Sequence, residues 1–282
     1  MSTSLAATAI AAAALRMPFL GHPSLWLDEI YTRDILAQHS LGGLWHQIRA
    51  TESTPPLYYL LAKPSTGLAG TRSAAAMRLP SALALIAAVP VAYLALRRFV
   101  GVRGALAAGA IVAVTPNLVS FSTDARSYGL FVLTALLSVW GFSALIERPS
   151  GRRYAAWAAA SIACLWTHYF GAFLVIGETL ILLAVLRDTR RTTLASCLAI
   201  AVAVAPLIPL VMHQNGTEDA AFIAGIPLPS RLGSTMRQFG MGTNVPRTWL
   251  EAAGLVVAAL GLVAGVALAV RRRESRILLA LW

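Results

Sequence analysis

Apolar runs long enough to cross a lipid bilayer follow one another along this chain, and that succession restricts the fold more than any other feature. They lie at about 4–20, 79–96, 104–121, 128–146, 154–167, 170–186, 194–212 and 249–270. A helix of about 20 apolar residues spans a hydrocarbon core of about 30 Å. The composition agrees: 57% of the 282 residues are hydrophobic and 12% charged, about half the charged share of a soluble domain. Mean hydropathy is +0.69. The expected fold is all-α and integral to the membrane, a polytopic bundle of about eight to nine transmembrane helices. A last run begins near Arg276 and reaches Trp282, about 10 Å of helix and too short to cross. The expectation is one domain, 1–282, truncated at its C-terminus.

Charge sets the orientation. Lys and Arg number 23 against 12 Asp and Glu, a formal charge of +11. The basic residues gather in short loops between apolar runs, which is the positive-inside pattern and not a nucleic-acid-binding face. The 154–186 stretch reads as two short helices turning at Thr167-His168-Tyr169. That arrangement puts Arg152, Arg153, Arg187, Arg190, Arg191 and the 271–276 cluster on one side, with the N-terminus cytoplasmic. Acidic residues then concentrate on the outer face. Two segments there are large: 21–78, where Ile35, Leu36, Leu41, Leu44, Trp45 and Ile48 form the apolar stripe of an interfacial helix, and 213–248, Gly/Pro-rich and read as a loop. Cys164 and Cys197 lie within apolar runs and read as small buried hydrophobes.

Four outer-face clusters could carry chemistry. Trp26-Leu27-Asp28-Glu29 sets two carboxylates just past the first helix, where one could act as a general base. Pro55-Pro56-Leu57-Tyr58-Tyr59 makes a rigid turn with aromatic anchors, and Arg78-Leu79-Pro80-Ser81 opens the second run with an arginine at headgroup level. Asp124-Ala125-Arg126-Ser127-Tyr128 holds an acid and an arginine in a tight loop beside hydrocarbon, with Arg126 able to fork onto a phosphate. Thr167-His168-Tyr169 is recessed, because its first arm is about 21 Å of helix, so His168 would face a polar pocket and could ligate a metal or bond a phosphate. Glu178, in mid-span, must face the bundle interior.

Taken in order, W-x-D-E, P-P-L-Y-Y, R-L-P-S, D-A-R-S-Y and T-H-Y-F resemble the polytopic glycosyltransferases of the C superfamily. The branch resembled lies near the protein mannosyltransferases, the lipid A aminoarabinose transferases and the rhizobial galacturonosyltransferases. The resemblance implies inverting transfer of a sugar, mannose or a related one, from a polyprenyl-phosphate donor to an acceptor glycan, lipid or protein. It places the reaction on the outer face of a bacterial cell membrane. It implies Asp28 as general base with Glu29 beside it. Asp124, Arg126, Tyr128, Arg78, His168 and Tyr58 would then bind the donor phosphate or substrate. Relatives carry His or Glu immediately before Pro-Pro, where this chain has Ser53 and Thr54. Glu52 and His168 are therefore the candidates for any divalent metal. The other classes that fit a polytopic chain are a transporter or lipid flippase, which favours paired broken helices in repeated halves, and an inactive membrane scaffold.

Overall fold

The structure is a computed structural model that describes residues 3–69, 73–214 and 225–241. Every regular element among them is a helix. Three helical stretches are long and apolar enough to cross a membrane: Ala74–Val114, Tyr128–Glu147 and Arg187–Gln214. Thr3–Phe19 and Gly171–Val185 are apolar but shorter. The expected run at 249–270 and the one from Arg276 lie outside the described residues.

Helix α1 (Thr3–Arg16) packs against α5 (Ala74–Val114) through Leu5, Ala12, Val89 and Ala113. Arg16, fully buried at the end of α1, donates to the carbonyls of Ala12, Val112 and Ala113. α5 covers two of the expected runs because it folds back on itself at Gly101, whose φ of 75° is open to glycine at little cost. A Cβ on Gly109 would stand 3.3 Å from the Val89 carbonyl, so the two arms of this hairpin lie in close contact.

The expected run at 104–121 is interrupted. Thr115, just before Pro116, takes an extended ψ of 121°, and a separate short helix α6 (Pro116–Ser122) follows. Proline disfavours a helical conformation at the residue before it and removes a backbone donor. The chain thereby packs α6 as a separate short helix against α5.

α7 (Tyr128–Glu147), α8 (Gly151–Thr167), α9 (Gly171–Val185) and α10 (Arg190–Val204) complete the bundle, followed by α11 (Ile208–Gln214). The stretch at 154–186 turns at residues 168–170, as the charge argument expects. Phe142, Leu145, Trp157, Val175, Leu182 and Ile200 form the core of this part. Glu178 is fully buried there; one of its oxygens accepts from Ser138 Oγ (2.6 Å) and Trp157 Nε1 (2.8 Å). Cys164 is buried, Cys197 is half-buried, and both are free thiols.

The 21–78 segment departs from its expected form. It holds three helices, α2 (Leu27–Leu36), α3 (Leu41–Thr51) and α4 (Leu57–Ala69). The stripe read as one interfacial helix is divided at residues 37–40, where Ser40 caps α3 by accepting from Gly43 N at 3.0 Å. Ile35, Leu36, Leu44 and Ile48 are buried in a protein core with Tyr58, Tyr59, Met77 and Ala125, while Leu41 stays exposed. The stripe therefore packs against protein and not along a lipid surface. The 213–248 segment is not all loop either, since α12 (Leu228–Met241) lies within it and packs on α6. Its Pro229 sits in the first turn, where the missing N–H breaks no helical bond.

Candidate active site

The clusters at 26–29, 55–59, 78–81 and 124–128 come together beside the core of α2, α3 and α4. Residues 29, 32, 35 and 36 lie on one face of α2 and are buried, which turns Glu29 inward and leaves Asp28 on the neighbouring, more open face. The two adjacent acids thus have unlike surroundings.

Glu29 is 0% and Arg78 1% exposed. Arg78 Nε donates to Glu29 Oε1 (2.7 Å) and Nη2 to Oε2 (2.6 Å). The remaining Arg78 donors reach the carbonyls of Leu20 (2.8 Å), Pro23 (3.0 Å) and Ser24 (3.3 Å). All five N–H groups are thereby used. Glu29 also accepts from the backbone N–H of Ala125 (2.8 Å) and Trp26 (3.4 Å). The sequence sets both at the reacting centre, Glu29 beside the base Asp28 and Arg78 on the donor phosphate. In the structure the pair holds the 20–29 segment, the start of α5 and the 123–127 turn in one arrangement.

Asp28 is about a third exposed (35%), and its carboxylate makes no hydrogen bond to a described residue. Arg126 Nη2 stands 4.0 Å from it. Arg126 Nη1 donates to Glu52 Oε1 (2.6 Å) and, at 3.5 Å, to the Asp28 carbonyl. Burial opposes the Arg126 charge, but Tyr59, Glu52 and Asp28 together raise its pKa. Burial pushes the Glu52 carboxyl up against the pull of Arg126, and Glu52 Oε2 is buried with no hydrogen-bond partner among the described residues.

Asp124 accepts from the Trp26 indole N–H at 3.0 Å. Burial, helped by the nearby Glu29 and Asp28 carboxylates, raises its pKa from 3.8 to about 6, while the Trp26 bond and Arg126 oppose the shift. Trp26, Glu29, Arg78, Asp124 and Tyr128 line a cleft of about 580 Å³, together with Pro23, Ser24, Asn117, Ser120, Phe121, Thr123 and Gln238. Asp28 and Arg126 are not part of its wall. Asp28 adjoins the wall residue Glu29, and Arg126 lies between the wall residues Asp124 and Tyr128.

Two expected site residues lie elsewhere. Tyr58 is fully buried and donates to the Met77 carbonyl at 2.8 Å; Ser81 donates to its hydroxyl at 3.4 Å, so it braces the core and touches no open space. His168 packs among the rings of Tyr128, Phe131 and Phe170 at centroid separations of 6.1, 5.0 and 4.9 Å, and its Nδ1 accepts from Phe170 N. Burial and then Arg126 lower its pKa, which favours the neutral imidazole. Among the described residues no three His, Cys, Asp or Glu side chains are placed to hold a metal, and Glu52, the other candidate ligand, is taken by Arg126.

Seven wall residues carried no functional expectation: Asn117, Ser120, Phe121, Thr123, Gln238, Pro23 and Ser24. The signal for the first four is Pro116, which breaks the apolar run and makes the following turn a separate surface.

A family model described as dolichyl-phosphate-mannose-protein mannosyltransferase matches residues 53–213, more than half of the chain. The chain belongs to that family. It is, as a member of the dolichyl-phosphate-mannose-protein mannosyltransferase family, a membrane protein with glycosyltransferase activity in general. The matched region holds the Pro-Pro turn, Arg78, Asp124, Arg126 and His168. Trp26, Asp28 and Glu29 precede it and are tied to it by the Glu29–Arg78 pair and the Asp28–Arg126 approach. No curated protein and no solved structure matches the chain.

Proposed function

We propose that this chain is a membrane glycosyltransferase of the C-superfamily type, moving a sugar, mannose or a related one, from a polyprenyl-phosphate donor to an acceptor with inversion. The observation that carries the reading is the contrast between Asp28 and Glu29. Asp28 has an open carboxylate beside a guanidinium with unused donors, whereas every oxygen of Glu29 is engaged internally. Asp28 takes the proton of an acceptor hydroxyl as its oxygen bonds to the anomeric carbon. The bond from that carbon to the phosphate oxygen breaks, and the electron pair leaves with the polyprenyl phosphate. Arg126, through Nη2, offsets the charge growing on that oxygen. Arg78 does not share this task, because it has no donor left. Glu29 and Arg78 position Asp28 and Asp124 from behind. No step runs through a metal.

The donor lipid would lie against the apolar helices with its head beneath the 21–36 segment. The full bundle of about eight to nine spans, and the placement of the site on the outer face of a bacterial cell membrane, belong to the same proposal. The acceptor is a glycan, lipid or protein hydroxyl. Asp28-dependent loss of labelled sugar from a polyprenyl-phosphate donor tests the proposal. A transporter or flippase would move the lipid without breaking its sugar–phosphate bond, and a scaffold would do neither.

A further inference from the structure

The cleft wall contributed by α6 and α12 has a chemistry unlike that of the Asp28–Arg126 pair. Asn117 is only 4% exposed, yet its side-chain amide makes no hydrogen bond to any described residue; it faces the cleft. The amide is therefore open to the cleft and free to donate to and accept from whatever occupies it. Around it on the same wall stand the hydroxyls of Ser120 and Thr123 and the amide of Gln238. Phe121 and Tyr128, stacked with centroids 5.0 Å apart, and the Trp26 indole give apolar ring surface beside these groups. Uncharged amides and hydroxyls next to aromatic faces suit a molecule with many hydroxyls and flat C–H patches. The only charged side chains on the wall among the described residues are Glu29, Arg78 and Asp124. The first two neutralise each other, which leaves Asp124 to set the sign.

We propose that Asn117, with Ser120, Thr123 and Gln238, forms a subsite for a neutral sugar ring. This rests on the glycosyltransferase reading and deepens it. The ring belongs either to the donor, as the sugar to be transferred, or to the acceptor. Asn117 is the selecting residue, because its amide can both donate to and accept from ring hydroxyls. The Asp124 carboxylate disfavours uronic acids in the same space.

Equilibrium binding to the full chain in detergent micelles tests this. The probes are polyprenyl-phosphate mannose, sugar-free polyprenyl phosphate, polyprenyl-phosphate galacturonate and methyl α-mannoside. For a donor-sugar site, the mannosyl lipid binds about five- to tenfold more tightly than the sugar-free lipid. Asn117→Ala removes that increment without weakening sugar-free lipid binding, and Gln238→Ala, on an exposed residue, removes part of it. Unchanged sugar-free lipid binding serves as the control for folding. The galacturonate lipid binds more weakly than the mannosyl lipid, and Asp124→Asn narrows the gap. For an acceptor-sugar site, the lipid shows no sugar increment but methyl α-mannoside binds and requires Asn117. If mannose adds affinity and neither Asn117→Ala nor Gln238→Ala changes it, the subsite is wrong and the glycosyltransferase reading stands. If neither lipid nor the mannoside binds at all, that reading fails and the subsite fails with it.

Discussion

Glu29 and Arg78, 49 residues apart in the chain, meet in a two-pronged ion pair hidden from solvent, with contacts of 2.7 and 2.6 Å. Two charges removed from water are stabilising only when their remaining hydrogen-bonding capacity is also met. Here it is, by three carbonyls on the arginine side and two backbone N–H groups on the carboxylate side. The pair therefore fixes the distance between the start of α2 and the 123–127 turn, and through them the positions of Asp28 and Asp124.

Breaking this pair destabilises the protein whether or not substrate is present. Arg78→Ala leaves Glu29 buried and uncompensated, at about 3–5 kcal/mol. Arg78→Lys recovers little, since one ammonium cannot make the two-pronged contact and also hold three carbonyls. Thermal unfolding in detergent checks this. A Tm for Arg78→Ala equal to that of the unaltered protein would show that the pair does not hold the site.

Arg126 is expected to act on the chemical step. Arg126→Lys keeps a positive charge but cannot span Glu52 and Asp28 together, and it should lower kcat by about 10²–10³ with a smaller effect on KM. Initial rates of sugar release over a range of donor concentrations separate the two. A change confined to KM would reassign Arg126 to donor binding alone.

Asp124 gives stability a defined pH dependence. Its folded pKa, about 6, lies above its ordinary 3.8 because burial disfavours the charged form. Between those values the folded state binds more protons than the unfolded state, so this group's contribution falls as pH rises from about 4 to about 6 and is level above. Comparing unfolding of the unaltered protein and Asp124→Asn at pH 5 and pH 7 isolates the effect. The unaltered protein should lose more stability over that interval than the variant. An equal loss in both would mean that Asp124 is not held as described.

Helix contact at α7 depends on glycine. A Cβ on Gly141 would stand 2.8 Å from the Trp157 Cα, and one on Gly129 would stand 2.9 Å from the Ser81 carbonyl. Gly141→Ala should destabilise by about 1–3 kcal/mol, because backbone and not a flexible side chain must move. Gly151→Ala, where a Cβ meets nothing within 4 Å, should be near neutral, and chemical denaturation of both variants provides the comparison.

Helix content and the membrane setting were legible in the apolar runs, because bilayer thickness imposes a length that few other folds require. The clusters bearing acids and arginines were legible as well, since ionisable groups beside hydrocarbon stand out. The division of labour within them was not. Asp28 and Glu29 are neighbours of the same charge, and only the face they occupy on α2 separates an open carboxylate from a buried one. The spacing of Glu29 with Thr32, Ile35 and Leu36 carries that information, but it becomes decisive only once Arg78 is known to lie opposite. The stripe at 35–48 was apolar enough to suit lipid or protein, and the choice depended on α4 and Met77, which are distant in sequence. Pro116 marked a break, yet which side chains the short α6 presents to the cleft is a matter of tertiary packing.

The reading turns on Asp28 as the base. Membranes carrying the protein, or its Asp28→Asn form, would receive polyprenyl-phosphate mannose labelled in the sugar, and loss of label from the lipid fraction would be followed. Asp28 lies about a third exposed and its carboxylate makes no hydrogen bond to a described residue, only the 4.0 Å approach to Arg126, so the variant should insert and fold normally. Loss of label should fall by about 10²–10⁴-fold in Asp28→Asn. Label loss at the unaltered rate in a correctly inserted Asp28→Asn protein would contradict the account.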